Sequence, residues 1–138
     1  MDRLSTERRS WNMSRIRGKD TKPELVVRSV LHCLGFRFRV HRKDLPGRPD
    51  IVLPRHRVAV LVHGCFWHRH SGCRYAYTPK SNLNFWTAKF EQNLARDSRI
   101  TRELQQLGWR VVLVWECQTV DRVALAPWLN SRLKSTAS

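Results

Sequence analysis

One short stretch of the chain concentrates the residue types that ligate metals. Residues 63–73 hold three histidines and two cysteines, although the whole chain of 138 residues has only six histidines and four cysteines. Thiolates and imidazoles are the usual zinc ligands, and a site closed by four protein ligands is typically structural. We therefore predict a Cys₃His zinc site formed by Cys65, His70, Cys73 and Cys117. Free thiols beside a catalytic histidine are the alternative interpretation.

A second candidate for chemistry is Asp50, which follows a proline-rich turn and begins a short apolar segment. A carboxylate held on a sheet offers the oxygen ligand that Mg²⁺ prefers, and Mg²⁺ commonly bridges such groups to substrate phosphates. A purely structural turn role for Asp50 is the alternative. His63 and His68 are not among the predicted zinc ligands, and for each the alternative is a role as a packed or surface residue. Since a neutral imidazole accepts a proton near neutral pH, we expect His68 to be catalytic.

The charge of the chain points to a polyanionic partner. Lys and Arg total 26 against 11 Asp and Glu, so the formal net charge is +15. This balance favours nucleic acid first and an acidic membrane surface second. No apolar run approaches the roughly 20 residues of a membrane span, and no signal peptide is recognisable. We therefore expect an intracellular protein whose cysteines are free or metal-bound.

The elements that position these residues follow the order helix, three strands, loop, helix, strand, helix. We predict helices over residues 21–34, 81–107 and 120–133, strands over 36–40, 50–53, 58–62 and 109–115, and a long loop over 63–79. The first helix begins with a capping box between Thr21 and Glu24, and the last has a possible break at Pro127. The two most apolar strands, 58–62 and 109–115, should be parallel because a helix connects them. An α/β fold with a mixed central sheet flanked by helices follows.

Aromatic residues in and beside the loop predict a surface for nucleic acid. Phe66 and Trp67 are adjacent large aromatics in an otherwise polar loop, where they are poor core material. Trp86, Lys89 and Asn93 share one helix face, which combines an aromatic ring, a cation and an amide suited to bases and phosphates. Ordinary burial in the core is the alternative for Trp86. Core positions are expected for Trp109, Trp115 and Trp128.

Together these residues resemble the very short patch repair (Vsr) DNA mismatch endonucleases. The matching segments are RSWNM (9–13), LPGRPD (45–50), HGCFWH (63–68), FW (85–86), RD (96–97), LGWRV (107–111) and VWEC (114–117). His70, Cys73, Asn93 and the stretch from Asp20 to Glu24 also fit. The resemblance covers about residues 8–120, and the HGCFWH run is highly specific.

The resemblance implies a restriction-endonuclease-like fold of the PD-(D/E)XK type with a zinc-bound loop. It implies an Mg²⁺-dependent nick 5′ to the thymine of a T·G mismatch, the product of 5-methylcytosine deamination. The roles that it carries over are Asp50 as Mg²⁺ ligand, His68 as general base, His63 as a second active-site histidine, and Glu24 as a supporting acid. Val62 stands where the family usually has Thr, and we expect its backbone carbonyl to bind Mg²⁺.

The resemblance also makes Phe66, Trp67 and Trp86 an intercalating wedge, and we expect Met13 to wedge from the opposite groove. Residues 1–20 are basic, and we expect them to be a DNA-binding arm, with a frayed, solvated terminus as the alternative; residues 21–138 are then a single nuclease domain. The expected partner is double-stranded DNA with a T·G mismatch, bound by a monomer, with other mismatch-repair proteins as further partners.

Two other functions stay open on the sequence alone. One is a restriction-type or structure-specific nuclease of the same fold that cuts other DNA. The other is a non-catalytic zinc-stabilised DNA-binding module. The second is favoured by the end of the strand over residues 58–62, which has no acid-x-Lys motif but continues into His63 and Gly64.

Overall fold

A computed structural model describes residues 21–134 of the chain. The helices are α1 (Lys22–Cys33), α2 (Leu83–Gln106) and α3 (Arg122–Lys134), and the strands are β1 (Arg39–Val40), β2 (Ile51–Leu53), β3 (Val58–His63) and β4 (Arg110–Trp115). Short 3₁₀ helices cover Pro54–His56 and Glu116–Val120. The predicted order of elements is confirmed. The predicted arm over residues 1–20, with Met13, lies outside the described residues.

Helix α1 begins with the predicted capping box. The backbone N–H of Glu24 donates to the Thr21 hydroxyl at 3.4 Å, and the Glu24 carboxylate accepts from the backbone N–H of Thr21 at 2.7 Å. Two backbone donors that the helix leaves unbonded are thereby satisfied. This pairing fixes the position of Glu24, which is buried.

The four strands form one mixed sheet in the order β1-β2-β3-β4. Strand β2 pairs with both β1 and β3 in the antiparallel direction, and β3 pairs with β4 in parallel through six residue pairs. The parallel register sets His63 opposite Trp115. Because β2 runs against β3, the residue that precedes β2, Asp50, lies at the same end of the sheet as His63. The predicted parallel pairing is confirmed.

Helices cover both faces of the sheet, as the apolar strands predict. One face packs α1 and α3 against Ile51, Val60 and Val114. The opposite face packs Val52 and Ala59 against residues of α2 and the turn that follows it. Neighbouring strand residues point to opposite faces, so two continuous apolar layers form. None of the helices within residues 21–134 is long and apolar enough to cross a membrane.

Two element boundaries differ from the sequence-based expectation. The strand predicted over residues 36–40 is reduced to Arg39–Val40, because only these two residues pair with β2. Helix α3 begins at Arg122, where Asp121 accepts the backbone N–H of Ala124, and it continues through Pro127 without a break. Leu125 and Leu129 are buried in the core on either side of Pro127 and hold the helix there.

The turn that precedes Asp50 depends on Gly47. Gly47 has a φ of +73°, and a Cβ at this position would overlap the side chain of Ile100 on α2. Gly35 has a φ of +87° but open space around it, so it is a control for backbone strain alone. Gly35→Ala should lower the free energy of unfolding by about 1 kcal/mol. Gly47→Ala should lower it clearly further in urea denaturation, and an equal loss in both variants would contradict this account of the turn.

Candidate active site and metal centre

The candidate site lies at one end of the sheet, where several elements meet. Strands β3 and β4 end there, β2 begins there, and α2 passes alongside. The long connection between β3 and α2, residues 64–82, closes this end. Residues that are far apart in sequence are thus brought together by strand pairing and by one loop.

Asp50 is half-buried and pairs with the buried Glu24. Its carboxylate accepts the backbone N–H of Val62 at 2.9 Å, and its carboxyl group is also hydrogen-bonded to Glu24. Burial, followed by the interaction with Glu24, raises the pKa of Asp50 to about 8, against the opposing charge of Arg28. Asp50 therefore keeps a proton at neutral pH when no cation is bound. A half-buried carboxyl group that keeps its proton beside a buried carboxyl group is a donor set that a divalent cation fits, because its charge replaces the proton.

His63, His68 and Asp97 form a second group close to the end of β3. The imidazole rings of His63 and His68 are stacked, with centroids 3.8 Å apart and planes 9° from parallel. Burial, and then the neighbouring His68, lowers the pKa of His63 to about 4. His63 is consequently uncharged at neutral pH, and its ring is a packed neutral surface for His68.

A short hydrogen bond joins His68 to Asp97. The Nδ1 atom of His68 lies 2.5 Å from the carboxylate of Asp97. A carboxylate only accepts, so the proton sits on Nδ1 and the lone pair of His68 is on Nε2. An imidazole oriented in this way is suited to take a proton from a water molecule.

The four predicted zinc ligands lie together. The ligand atoms of Cys65, His70, Cys73 and Cys117 are all within 4.8 Å of one another. His70 Nδ1 is 3.6 Å from the sulfur of Cys65 and 3.4 Å from that of Cys117. Burial raises the pKa of the Cys65 thiol to about 12, so a bare cluster keeps this proton, which a metal ion would displace. The cluster can hold a metal ion, and a set of three thiolates and one imidazole fits zinc.

Trp115 lies between the two groups of histidines. Its ring is stacked on His70 at a centroid distance of 4.1 Å and meets the edge of His63 at 5.6 Å. A core position was expected for Trp115, but the residue is only half-buried. Its ring also connects the metal cluster to the His63–His68 stack. Beside it, the Glu116 carboxylate accepts the backbone N–H of Cys65 at 3.2 Å.

Sequence reasoning assigned no role to Asp97, and it treated Trp115 only as core. A signal for Asp97 exists, since it lies four residues after Asn93 and so on the same face of α2. The role of Trp115 beside the histidines could be predicted only from the register of β3 and β4, and two apolar runs do not determine that register.

The predicted DNA-binding aromatics form one cluster beside these groups. Phe66 contacts Trp67 and Trp86 at centroid distances of 5.2 and 5.4 Å, and both tryptophans are half-buried. The side-chain amide of Asn93 donates to the backbone carbonyl of Trp67 at 3.1 Å. Asn93 thus braces the loop through one of its N–H groups, in addition to any contact with DNA. Lys89 is half-buried on the same helix.

Comparison with known proteins identifies the family. A family model described as DNA mismatch endonuclease Vsr matches residues 1–74, more than half of the chain. The chain belongs to the Vsr family of DNA mismatch endonucleases. It is therefore a DNA-cleaving hydrolase, and the predicted family and enzyme class are confirmed.

Relatives match along almost the whole length of this Vsr-family chain. It is 54% identical to the type II nicking enzyme V.XorIIP of Xanthomonas oryzae pv. oryzae, over 96% of each protein. It is 45% identical to the DNA mismatch endonuclease Vsr of Escherichia coli, over 85% of this chain and 74% of that protein. Identity to the type II nicking enzyme V.NmeAIP of Neisseria meningitidis is 42%, over 94% and 91% of the two chains.

The raised pKa of Asp50 predicts that this residue destabilises the cation-free fold. Between its usual value of 3.8 and about 8, the folded protein holds a proton that the unfolded chain has lost, so stability falls as pH rises. Asp50→Asn removes this effect. Without added Mg²⁺, the variant should gain roughly 1–3 kcal/mol in the free energy of unfolding at about pH 8, and much less at about pH 5.

Asp44→Asn is the matched control, measured by the same urea titrations. Asp44 is exposed, and its hydrogen bond with Arg42 lowers its pKa, so removal of its charge should give no gain at either pH. If Asp50→Asn gained the same free energy of unfolding at both pH values, this would contradict the raised pKa of Asp50.

Proposed function

We propose that this Vsr-family endonuclease nicks one strand of DNA 5′ to the thymine of a T·G mismatch and so starts very short patch repair. The observation that carries the proposal is the His68–Asp97 pair, which orients a base at the end of the sheet that also holds Asp50 and the aromatic cluster. The printed names of the relatives, a mismatch endonuclease and nicking enzymes, support a single-strand cut at a mismatch.

We assign the catalytic cation as Mg²⁺, bound by the carboxylate of Asp50. Glu24 supports the site through its hydrogen bond to Asp50, and the backbone carbonyl of Val62 as a further ligand remains a prediction. When bound, Mg²⁺ supplies positive charge to the phosphate under attack. The bond from the Val62 N–H orients the carboxylate of Asp50 for this purpose.

In this proposal His68 is the general base. Its Nε2 atom takes the proton of the attacking water, because Nδ1 is already bonded to Asp97. Asp97 then stabilises the imidazolium that forms, as a carboxylate does in other histidine-based sites. His63 stays neutral, so it packs against His68 without adding a charge that would oppose protonation.

A T·G pair is weakly stacked and easily deformed, so a protein that inserts aromatic rings opens the duplex there at the least cost. We propose Phe66, Trp67 and Trp86 as this wedge, with Lys89 and Asn93 contacting the adjacent DNA. Met13, in the proposed DNA-binding arm of residues 1–20, would enter from the other groove. Residues 21–138 would then be one nuclease domain with a restriction-endonuclease-like fold, active as a monomer in the cytoplasm and alongside other mismatch-repair proteins.

We propose that the metal of the Cys₃His cluster is zinc and that its role is structural. Four protein ligands leave no open position for substrate. The cluster ties the loop that carries Phe66 and His68 to Cys117, beyond the end of β4. Zinc binding therefore stabilises both the wedge and the base.

Substitutions at Asp50 and His68 test the catalytic roles. Asp50→Asn and His68→Ala should each reduce the Mg²⁺-dependent nicking rate on a T·G duplex by about 10²-fold or more, because a ligand or the base is lost. Binding to the same duplex should change little. His32→Ala, at an exposed position of α1, is the control and should nick at the wild-type rate.

The substrate is tested with wild-type protein on T·G, T·A and other mismatched duplexes of the same sequence. Preferential nicking of the T·G duplex is expected. Equal cutting of all duplexes would indicate a nuclease of other specificity. A complete lack of cutting by zinc-loaded protein would indicate a binding module.

Replacement of single cysteines tests the metal centre. Cys117→Ser should lose most of the one equivalent of zinc expected per chain and should lower the melting temperature, because a structural site of this type contributes directly to folding. Cys33→Ser is the matched control, since Cys33 is exposed on α1 and lies outside the cluster. Elemental analysis and thermal unfolding measure both effects. Full zinc content in Cys117→Ser would contradict the assigned ligand set.

A further inference from the structure

Arg69 contacts several groups within the protein through hydrogen bonds and aromatic rings. It lies between His68 and His70, and its backbone has a φ of +53°, in the left-handed region. Its guanidinium lies 4.1 Å from the ring centre of Phe90 and 5.8 Å from that of Phe66. A planar guanidinium over two aromatic rings is an attractive arrangement.

The N–H groups of Arg69 are directed at the protein. Nη1 donates to the backbone carbonyl of Tyr77 at 2.9 Å and reaches that of Phe66 at 3.4 Å. Nη2 donates to the hydroxyl of Thr78 at 3.3 Å. One side chain thus ties the start of the loop, its later part at Tyr77 and Thr78, and helix α2 at Phe90.

Tyr77 is the outermost ring of the group that Arg69 organises. Its centroid lies 5.0 Å from that of Phe66, yet its side chain is 64% exposed. Tyr75, two residues earlier, is 38% exposed, and Arg74 bonds to its hydroxyl and lies over its ring. The ring of Tyr77 is therefore exposed at the edge of an aromatic cluster, and a hydrogen bond fixes its backbone. Such a ring is suited to stack against a base.

We propose that Arg69 is a positioning residue that holds Phe66 and Tyr77 in one aromatic surface, and that Tyr77 stacks on a base beside the opened mismatch. This inference rests on the proposed function and adds two residues to it. Arg69 acts through its bonds to Phe66, Tyr77 and Thr78 rather than through a DNA phosphate. Its removal should therefore affect the recognition of distorted DNA and leave general DNA affinity unchanged.

The first test compares Arg69→Lys with Arg74→Lys. Both variants keep the positive charge, but Lys lacks the planar fork that joins two backbone carbonyls and a hydroxyl. Affinity is measured by fluorescence anisotropy, without added Mg²⁺, on T·G and T·A duplexes of one sequence over a range of salt concentrations. Arg69→Lys should lose about tenfold in T·G affinity, while T·A affinity and the salt dependence stay at the wild-type values. Arg74→Lys should match wild type on both duplexes.

The second test uses Tyr77 variants, in which Arg69 and the neighbouring metal cluster are intact. Tyr77→Ala should lose about fivefold to tenfold in T·G affinity, and Tyr77→Phe should restore it, because the ring and not the hydroxyl stacks. Tyr75→Ala is the matched control and should bind as wild type does. A 2-aminopurine placed beside the mismatch should show reduced unstacking with Tyr77→Ala and with Arg69→Lys. Zinc content, measured in every variant, should stay at the wild-type level.

The outcomes separate this inference from the proposed function. If wild type prefers the T·G duplex but Arg69→Lys and Tyr77→Ala bind it equally well, the inference is overturned and the proposed function stands. An equal loss on T·G and T·A duplexes, or a changed salt dependence, also overturns it, since Arg69 would then act as a phosphate contact. Loss of zinc from Arg69→Lys together with wild-type binding by Tyr77→Ala would assign Arg69 to the metal loop and overturn the role proposed for both residues. If wild type itself shows no T·G preference, the proposed function fails, and this inference fails with it.

Discussion

Parallel pairing between β3 and β4 places side chains from distant parts of the chain at one edge of the sheet. His63 ends β3 opposite Trp115, and Cys117 follows Trp115 within two residues. The aromatic ring of Trp115 then contacts both His63 and His70. A shift of one residue in this register would turn Trp115 to the other face and separate the metal cluster from the histidine pair. The buried apolar layers on both faces of the sheet resist such a shift.

The loop of residues 64–82 contains little regular secondary structure, so side chains hold it in place. Asn93 bonds the carbonyl of Trp67, Arg69 bonds three groups of the loop, and Glu116 bonds the N–H of Cys65. These bonds converge from α2, from the loop itself and from the segment after β4. The proposed zinc ion would add a fourth fixed point. The residues proposed for base catalysis and for insertion into DNA therefore share one support.

Much of the fold could be predicted from local patterns. The capping box at Thr21 and Glu24, the apolar strands β3 and β4 and the end of α1 before Gly35 each follow from interactions between near neighbours. The length of β1 could not, because it depends on which of its residues pair with β2. The course of α3 through Pro127 depends on buried leucines on both sides of it, which local propensity does not reveal. In these two places, tertiary packing decides.

The candidate site likewise contains residues that local spacing predicts and residues that only tertiary packing brings together. The four cluster residues could be predicted from the sequence, because zinc binds few residue types. Three of the four residues also lie within nine positions of one another. The partner of His68 was not assigned, since Asp97 is 29 residues away and becomes its neighbour only when α2 packs against the loop that carries His68. The elevated pKa of Asp50 likewise arises from burial in the folded chain, and then from contact with Glu24 on another element.

Glu24 takes part in two structures at once. Its carboxyl group closes the first turn of α1 and also meets the carboxyl of Asp50. The entrance of the chain into its first described helix is thus mechanically linked to the acidic pair. A substitution at Thr21 that breaks the capping box would therefore also remove a restraint on the carboxyl group that Asp50 contacts.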